Sequence, residues 1–232
     1  IGLGIPAEPL FRSRDESNKE MKLLIAIPSH DYMHMDFVNS LLGLCRTLTE
    51  EGIEHDVRIH GGTLVYHGRD ALATCAIDNG YTDVLWLDAD MVFQNDILEN
   101  LQFSNKPFVS GIAHGRRAPH VSCLFTEIYP EIKRFTEYPT STFKVAGCGF
   151  GCVLIKTEIL KAVKDKHGTC FFPTRELGED LAFCQRATEL GFEIWAEPTV
   201  RLGHIGHIAI YPEYRELYKN SFQNPEVLEN AR

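Results

Sequence analysis

The chain lacks any apolar run near the ~20 residues a membrane-spanning helix needs. Its apolar stretches, such as Leu23–Pro28 and Val153–Ile155, are strand-sized, so no membrane span is expected. No positively charged start leads into an apolar stretch, so no secretory leader is expected. No run of Lys and Arg occurs, and the formal net charge is −9. With no basic patch, the sequence gives no support to nucleic acid or an anionic membrane as the main partner. An anionic substrate has to be received by a metal or a few local arginines. No C-x-x-C pair occurs. The seven cysteines are odd in number, scattered, and often set within apolar stretches. They read as reduced thiols in a cytoplasmic protein, without a structural zinc site.

What is present is ordinary for a globular protein: 232 residues, 44% hydrophobic and 24% charged. That length suits one α/β domain better than two. Residues 1–20 stand apart, with two prolines and then a charged run from Arg12 to Glu20. They read as a leader or added arm outside the core, with Met21 a candidate native start; the rival is a native arm that docks on the domain or a partner.

From Met21 onward, strands and helices alternate. Lys22–Ile27, Glu54–His60 and Val84–Leu87 read as strands. Asp36–Glu51 carries Phe37, Leu41, Leu44 and Leu48 at helical spacing, and Gly52 stops it. Gly68–Asn79 and Asp96–Phe103 read as helices. This order implies a doubly wound, mostly parallel sheet whose ligands bind at the carboxyl ends of the strands. The second half is less regular. Strands are expected at Phe108–Ile112, Val121–Phe125, Gly151–Ile155 and Glu193–Ala196, and helices at Thr157–Lys166, Glu179–Leu190 and Tyr211–Phe222.

The strongest chemical signal is Leu85-Trp86-Leu87-Asp88-Ala89-Asp90. A wholly apolar strand runs into two carboxylates at i, i+2, which point the same way in extended chain. Like charges so placed call for a proton or a hard divalent cation, Mg²⁺ or Mn²⁺; a loop turn or helix cap is the plainer alternative. Glu179-Asp180 follows Gly178 at a helix start, where carboxylates serve as caps or, beside a cleft, as a general base. Gly203-His204-Ile205-Gly206-His207 offers two imidazoles, as metal ligands or as loop residues. Gly147–Gly151 is glycine-dense without the spacing of a dinucleotide or P-loop motif. It lets backbone approach a ligand, or it is a strand bulge. Arg116-Arg117 is a solvated loop pair or an anion contact.

Taken in order, these segments resemble the GT-A nucleotide-sugar transferases, especially the family 2-like group, over roughly residues 21–207. The resemblance rests on Ile27-Pro28-Ser29, Gly68-Arg69-Asp70, the D-x-D motif Asp88-Ala89-Asp90, Gly147–Gly151 with Glu179-Asp180, and Arg201–Gly206. It implies a Rossmann-like three-layer sandwich with a smaller mixed acceptor-side region. Residues 21–232 would form one domain, with a nucleotide-sugar half at about 21–105 and an acceptor half at about 106–232. The donor would lie against Pro28, Ser29, His30, Arg69, Asp88, Ala89, Asp90 and Gly149. Asp90, His204 and Asp88 would hold Mn²⁺ or Mg²⁺, with His207 the runner-up to His204. Asp180 would be the catalytic base and Glu179 would orient the acceptor or cap the helix. Asp70 departs from the Asn more usual after that Arg.

The expected function is metal-dependent transfer of a sugar from a nucleoside-diphosphate sugar, a UDP-sugar by preference, to an unidentified acceptor hydroxyl, with inversion. The alternatives are a metal-dependent nucleotidyltransferase or phosphohydrolase, and a non-catalytic nucleotide-sugar or glycan-binding module.

Overall fold

The computed structural model describes residues 21–30, 32–206 and 209–213. Residues 1–20, His207 and most of the expected Tyr211–Phe222 helix lie outside them. In chain order the elements are β1 (Lys22–Pro28), α1 (Met35–Glu51), β2 (Glu54–His60), α2 (Val65–Asp78), β3 (Asp83–Leu87), β4 (Met91–Phe93), α3 (Ile97–Phe103), β5 (Phe108–Gly111), β6 (Leu124–Glu127) and β7 (Lys133–Arg134). There follow β8 (Phe143–Val145), β9 (Gly147–Cys148), β10 (Cys152–Lys156), α4 (Thr157–His167), α5 (Glu179–Glu189), β11 (Ile194–Glu197), β12 (Leu202–Ile205) and β13 (Ala209–Ile210).

The central sheet has seven strands in the order β2-β1-β3-β10-β5-β11-β8. β2, β1 and β3 run parallel, and so do β5 and β11. β10 runs against both β3 and β5, and β8 against β11. The sheet is thus mainly parallel, with β10 reversed inside it. This reversal puts the start of β10 at the same end of the sheet as the carboxyl ends of β1, β3 and β5.

Strand periodicity produces the three layers. Leu24, Ala26, Val84 and Trp86 face one core, and Leu23, Ile25, Ile27, Leu85 and Leu87 face the other. Side chains two apart share a face, so a strand apolar at every position is buried on both sides. The first core is closed by α2, α4 and α5 through Leu72, Leu160 and Phe183, and the second by α1 and α3 through Phe37, Leu44 and Leu101. α1 ends at Gly52, whose φ of 71° is left-handed and whose N–H caps the helix on the Leu48 and Thr49 carbonyls. Among the described residues, no helix is long and apolar enough to cross a membrane.

Several boundaries differ from the sequence expectation. α2 begins at Val65, a turn before Gly68, with Leu64 as N-cap and no side-chain cap. Val121–Cys123 is not strand; β6 starts at Leu124, and the preceding chain forms only an isolated bridge between His114 and Ser122. Tyr211–Glu213 is not helical. His204 lies inside β12, paired to Met91 of β4, so the sheet backbone rather than a loop holds its imidazole.

Candidate functional site

A cleft of about 830 Å³ opens at the carboxyl ends of β1 and β3. It is lined by Pro28, Ser29, His30, Tyr32, His34, Thr63, Val65, Arg69, Asp88, Ala89, Asp90, Arg116, Arg117, Glu179, Asp180, Ile205 and Gly206. The backbone shapes its floor. Ser29 N–H donates to the His60 carbonyl at 2.9 Å, and Gly62 N–H to the His30 carbonyl at 3.0 Å. Asp88 N–H donates to the Gly151 carbonyl, and Met91 N–H to the Asp88 carbonyl, each at 3.1 Å. That last bond closes Asp88-Ala89-Asp90 into a turn. The extended arrangement expected from the i, i+2 spacing is therefore replaced, and the two carboxylates have different partners.

Asp88 is taken by Arg69. The guanidinium Nη2 donates to Asp88 Oδ1 at 2.8 Å, while its Nε lies 3.6 Å from Asp180 Oδ1 and 3.8 Å from Glu179 Oε1. Arg69 is only 2% exposed and sits between the rings of Trp86 and Phe150, 5.9 and 5.4 Å from their centroids. One buried cation thus serves three carboxylates. Burial lifts Asp88 above the usual carboxylate range, Arg69 opposes that shift, and the neighbouring Asp90 adds to it. Burial likewise raises Glu179, helped by Asp180. Burial raises Asp180 too, against Arg69 and with Asp88. A carboxylate of raised proton affinity suits a general base working near neutrality.

Asp90 faces the other way. Its Oδ2 lies 3.4 Å from His204 Nε2 and 3.1 Å from Arg116 Nη1. Burial works to raise Asp90, but the hydrogen bond and charge of His204, with Arg116, carry it below its usual value. Burial works to lower His204, but Asp90 and the His114 carbonyl raise it. His204 Nδ1 lies 2.7 Å from that carbonyl, which makes Nδ1 the protonated nitrogen. In neutral imidazole the Nε2 lone pair then points at Asp90, the tautomer a metal-binding histidine requires. One carboxylate on the cleft wall with one such imidazole beside it is a donor set that suits a divalent cation. Among the described residues, no three His, Cys, Asp or Glu side chains gather around a common point. Of the three residues expected as ligands, Asp90 and His204 face each other and Asp88 faces Arg69.

The acceptor-side residues meet through backbone. Phe150 N–H donates to Asp180 Oδ2 at 3.2 Å, and Asp180 is part-exposed on the cleft wall. Phe150 is fixed by an aromatic bed: Phe171 and Phe183 stack at 4.7 Å, and Phe150 stands edge-on to them at 5.1 and 5.4 Å. Gly149 does not line the cleft. A Cβ there would lie 3.2 Å from the Cys123 Cβ and 3.7 Å from Asp180 Oδ2, so its lack of a side chain keeps room beside the carboxylate. Cys152 is buried, which pushes its thiol up to about 12, and it is unreactive near neutrality.

Asp70, undecided from the sequence, is structural. Its Oδ1 accepts from Thr169 Oγ1, Cys170 N–H and Phe171 N–H at 2.8, 2.7 and 3.2 Å. It pins the segment that leads towards α5. Tyr32, His34, Thr63 and Val65 line the cleft without having been singled out in the sequence. Their only signal was position, just beyond the ends of β1 and β2. Arg116 and Arg117, read as a solvated pair or an anion contact, both line the cleft.

No protein-family model matches the sequence, and a search of curated proteins gives no match. Solved structures do share the fold. A197 from STIV superposes with a TM-score of 0.60 at 20% identity, covering 84% of this chain and 92% of that one. GalNAc-T7, solved with UDP, GalNAc and Mn²⁺, has a TM-score of 0.52 at 12% identity. That match covers 81% of this chain but only 44% of GalNAc-T7. At these identities the likeness defines the fold alone, which is that of the GT-A type.

Proposed function

We propose that the chain is a glycosyltransferase that moves a sugar from a nucleoside-diphosphate sugar, a UDP-sugar by preference, to an acceptor hydroxyl with inversion. The observation that carries this reading is one cleft lined both by Asp90, whose Oδ2 lies 3.4 Å from His204 Nε2, and by the carboxylate Asp180. The GT-A fold and the neighbour solved with UDP, GalNAc and Mn²⁺ support it.

Asp90 and His204 would hold Mn²⁺ or Mg²⁺, which supplies positive charge for the leaving diphosphate. Pro28, Ser29 and His30, at the end of β1, receive the nucleotide side of the donor. Asp88, oriented by Arg69, faces the donor sugar. Glu179 orients the acceptor, and Asp180 takes its hydroxyl proton as the oxygen attacks the anomeric carbon. The new C–O bond forms as the bond to the β-phosphate oxygen breaks, and that electron pair leaves with the nucleoside diphosphate. The acceptor lies against the half of the chain after about residue 106. All seven cysteines are free thiols, which supports a reducing, cytoplasmic setting.

The test is a panel of nucleotide-sugars with and without EDTA, reading released nucleoside diphosphate and the glycosylated product. Nucleoside diphosphate release that stops with EDTA, and with Asp90→Ala, is expected. Release of pyrophosphate or inorganic phosphate instead would mark a nucleotidyltransferase or phosphohydrolase. Tight binding without turnover across the panel would mark a binding module.

A further inference from the structure

Arg116 occupies an unusual position for a half-exposed arginine. Its guanidinium contacts the Asp90 oxygen that His204 also faces, at 3.1 Å against 3.4 Å. One carboxylate oxygen therefore carries both its cationic neighbours. The arginine is 55% exposed and lines the cleft, so its head is in reach of solvent and of a ligand in the cleft.

Its loop is anchored at the base. His114 bridges Ser122, Gly115 N–H donates to the Val121 carbonyl at 2.9 Å, and His120 N–H to the Arg117 carbonyl at 2.9 Å. His114 also fixes His204 through its carbonyl. The arginine stem runs past Gly206, where a Cβ would lie 3.5 to 3.6 Å from its Cβ, Cγ and Cδ. Backbone and stem are thus held by the loop and by Gly206, and the half-exposed head by its ion pair with Asp90.

We propose that Arg116 is a diphosphate-binding residue that guards the cation position. In the cation-free protein it neutralises Asp90; when a divalent cation takes that oxygen, Arg116 is repelled and turns to the diphosphate of the incoming nucleotide. The inference rests on reading the cleft as a cation–diphosphate site. Its physical basis is charge. A guanidinium and a divalent cation sharing one carboxylate oxygen repel each other at a few ångströms, and the guanidinium's best alternative partner is a phosphate, which it can grip with two parallel N–H bonds.

The experiment is calorimetry on the full chain at pH 8, with MnCl₂ alone, and then with whichever of UDP, GDP, CDP and dTDP binds most tightly to wild type in saturating Mn²⁺. Arg116→Gln removes a competitor and a ligand at once, so its two effects have opposite signs. Mn²⁺ alone should bind about threefold more tightly, the scale of losing one exposed ion pair. The nucleotide should bind about tenfold more weakly, the scale of a lost charge-assisted contact. Arg116→Lys keeps the charge without the fork, so its Mn²⁺ affinity should match wild type and its nucleotide affinity should fall between. Unchanged nucleotide affinity in Arg116→Gln, or weaker Mn²⁺ binding, overturns the proposal while leaving the cleft reading intact. Wild type that binds neither Mn²⁺ nor any of the nucleotides overturns both.

Discussion

Replacing Arg69 by methionine tests the electrostatic centre of the site. The side chain is 2% exposed and is the shared cation of Asp88, Glu179 and Asp180, at 2.8, 3.8 and 3.6 Å. Methionine fills much of the volume between Trp86 and Phe150 but leaves three carboxylates without their cation. Removing one partner of a buried ion pair costs about 3–5 kcal/mol. Against a typical stability of 5–15 kcal/mol, the variant should still fold, with Tm lowered by roughly 6–20 °C. The sign with pH follows from linkage. Asp88 and Asp180 are already raised above 3.8, and Glu179 above 4.5. Groups raised in the folded state contribute stability that is complete below their unfolded pKa and is lost as pH rises through the folded pKa. Losing Arg69 raises them further, so the variant's deficit should be large at pH 8 and smaller at pH 5. Urea denaturation of both proteins at the two pH values measures it. A deficit below about 1 kcal/mol at pH 8, within the range of an exposed pair, or one that grows at pH 5, would refute the assignment of Arg69 as the shared counter-ion.

Three other outcomes follow from the same geometry. His204 is raised above 6.5, and a cation has to displace its proton, so Mn²⁺ affinity by calorimetry should strengthen from pH 6 to pH 8; a flat profile removes His204 from the site. Asp180→Asn should cut glycosyl transfer by about 10²–10⁴-fold, the scale of general-base catalysis, with nucleotide affinity nearly unchanged; lost nucleotide binding would make Asp180 structural. Asp70→Ala removes the acceptor of three hydrogen bonds and should cost about 2–3 kcal/mol in denaturant midpoints. Amide exchange should quicken at Cys170 and Phe171; unchanged protection there would show that the aromatic bed alone holds the segment.

The sheet's first half was legible because β1 and β3 are apolar at every position, and α1 carries its core residues at clean helical spacing. The reversal of β10 was not legible: Cys152–Ile155 is equally apolar in either direction, and burial on both faces carries no sign of strand sense. Strands of two or three residues, such as β4, β7 and β9, offer no period to read. In the site, residues at strand ends fell on the cleft because an open α/β sheet puts ligands there. Two features depended on tertiary contact. The turn at Asp88 sends the paired carboxylates to different partners, and the loop after β5 brings Arg116 back across Asp90. The closeness of Gly149 to Asp180, where a Cβ would lie 3.7 Å from Oδ2, was likewise a tertiary contact without a sequence signal.

That stretch also sets a length scale. Phe150 N–H is bonded to Asp180 and the Gly151 carbonyl to Asp88 N–H, so adjacent residues of one backbone tie the two sides of the cleft together. The spacing between the Asp88 backbone and the Asp180 carboxylate is therefore set across two adjacent residues of main chain, whose length side-chain replacements leave unchanged. Inserting or deleting a single residue between Gly149 and Cys152 would change it by up to ~3.4 Å, the rise of one extended residue. A near-attack geometry is lost with a shift of about 1 Å. This part of the chain should tolerate many substitutions in its neighbours and no change in its length.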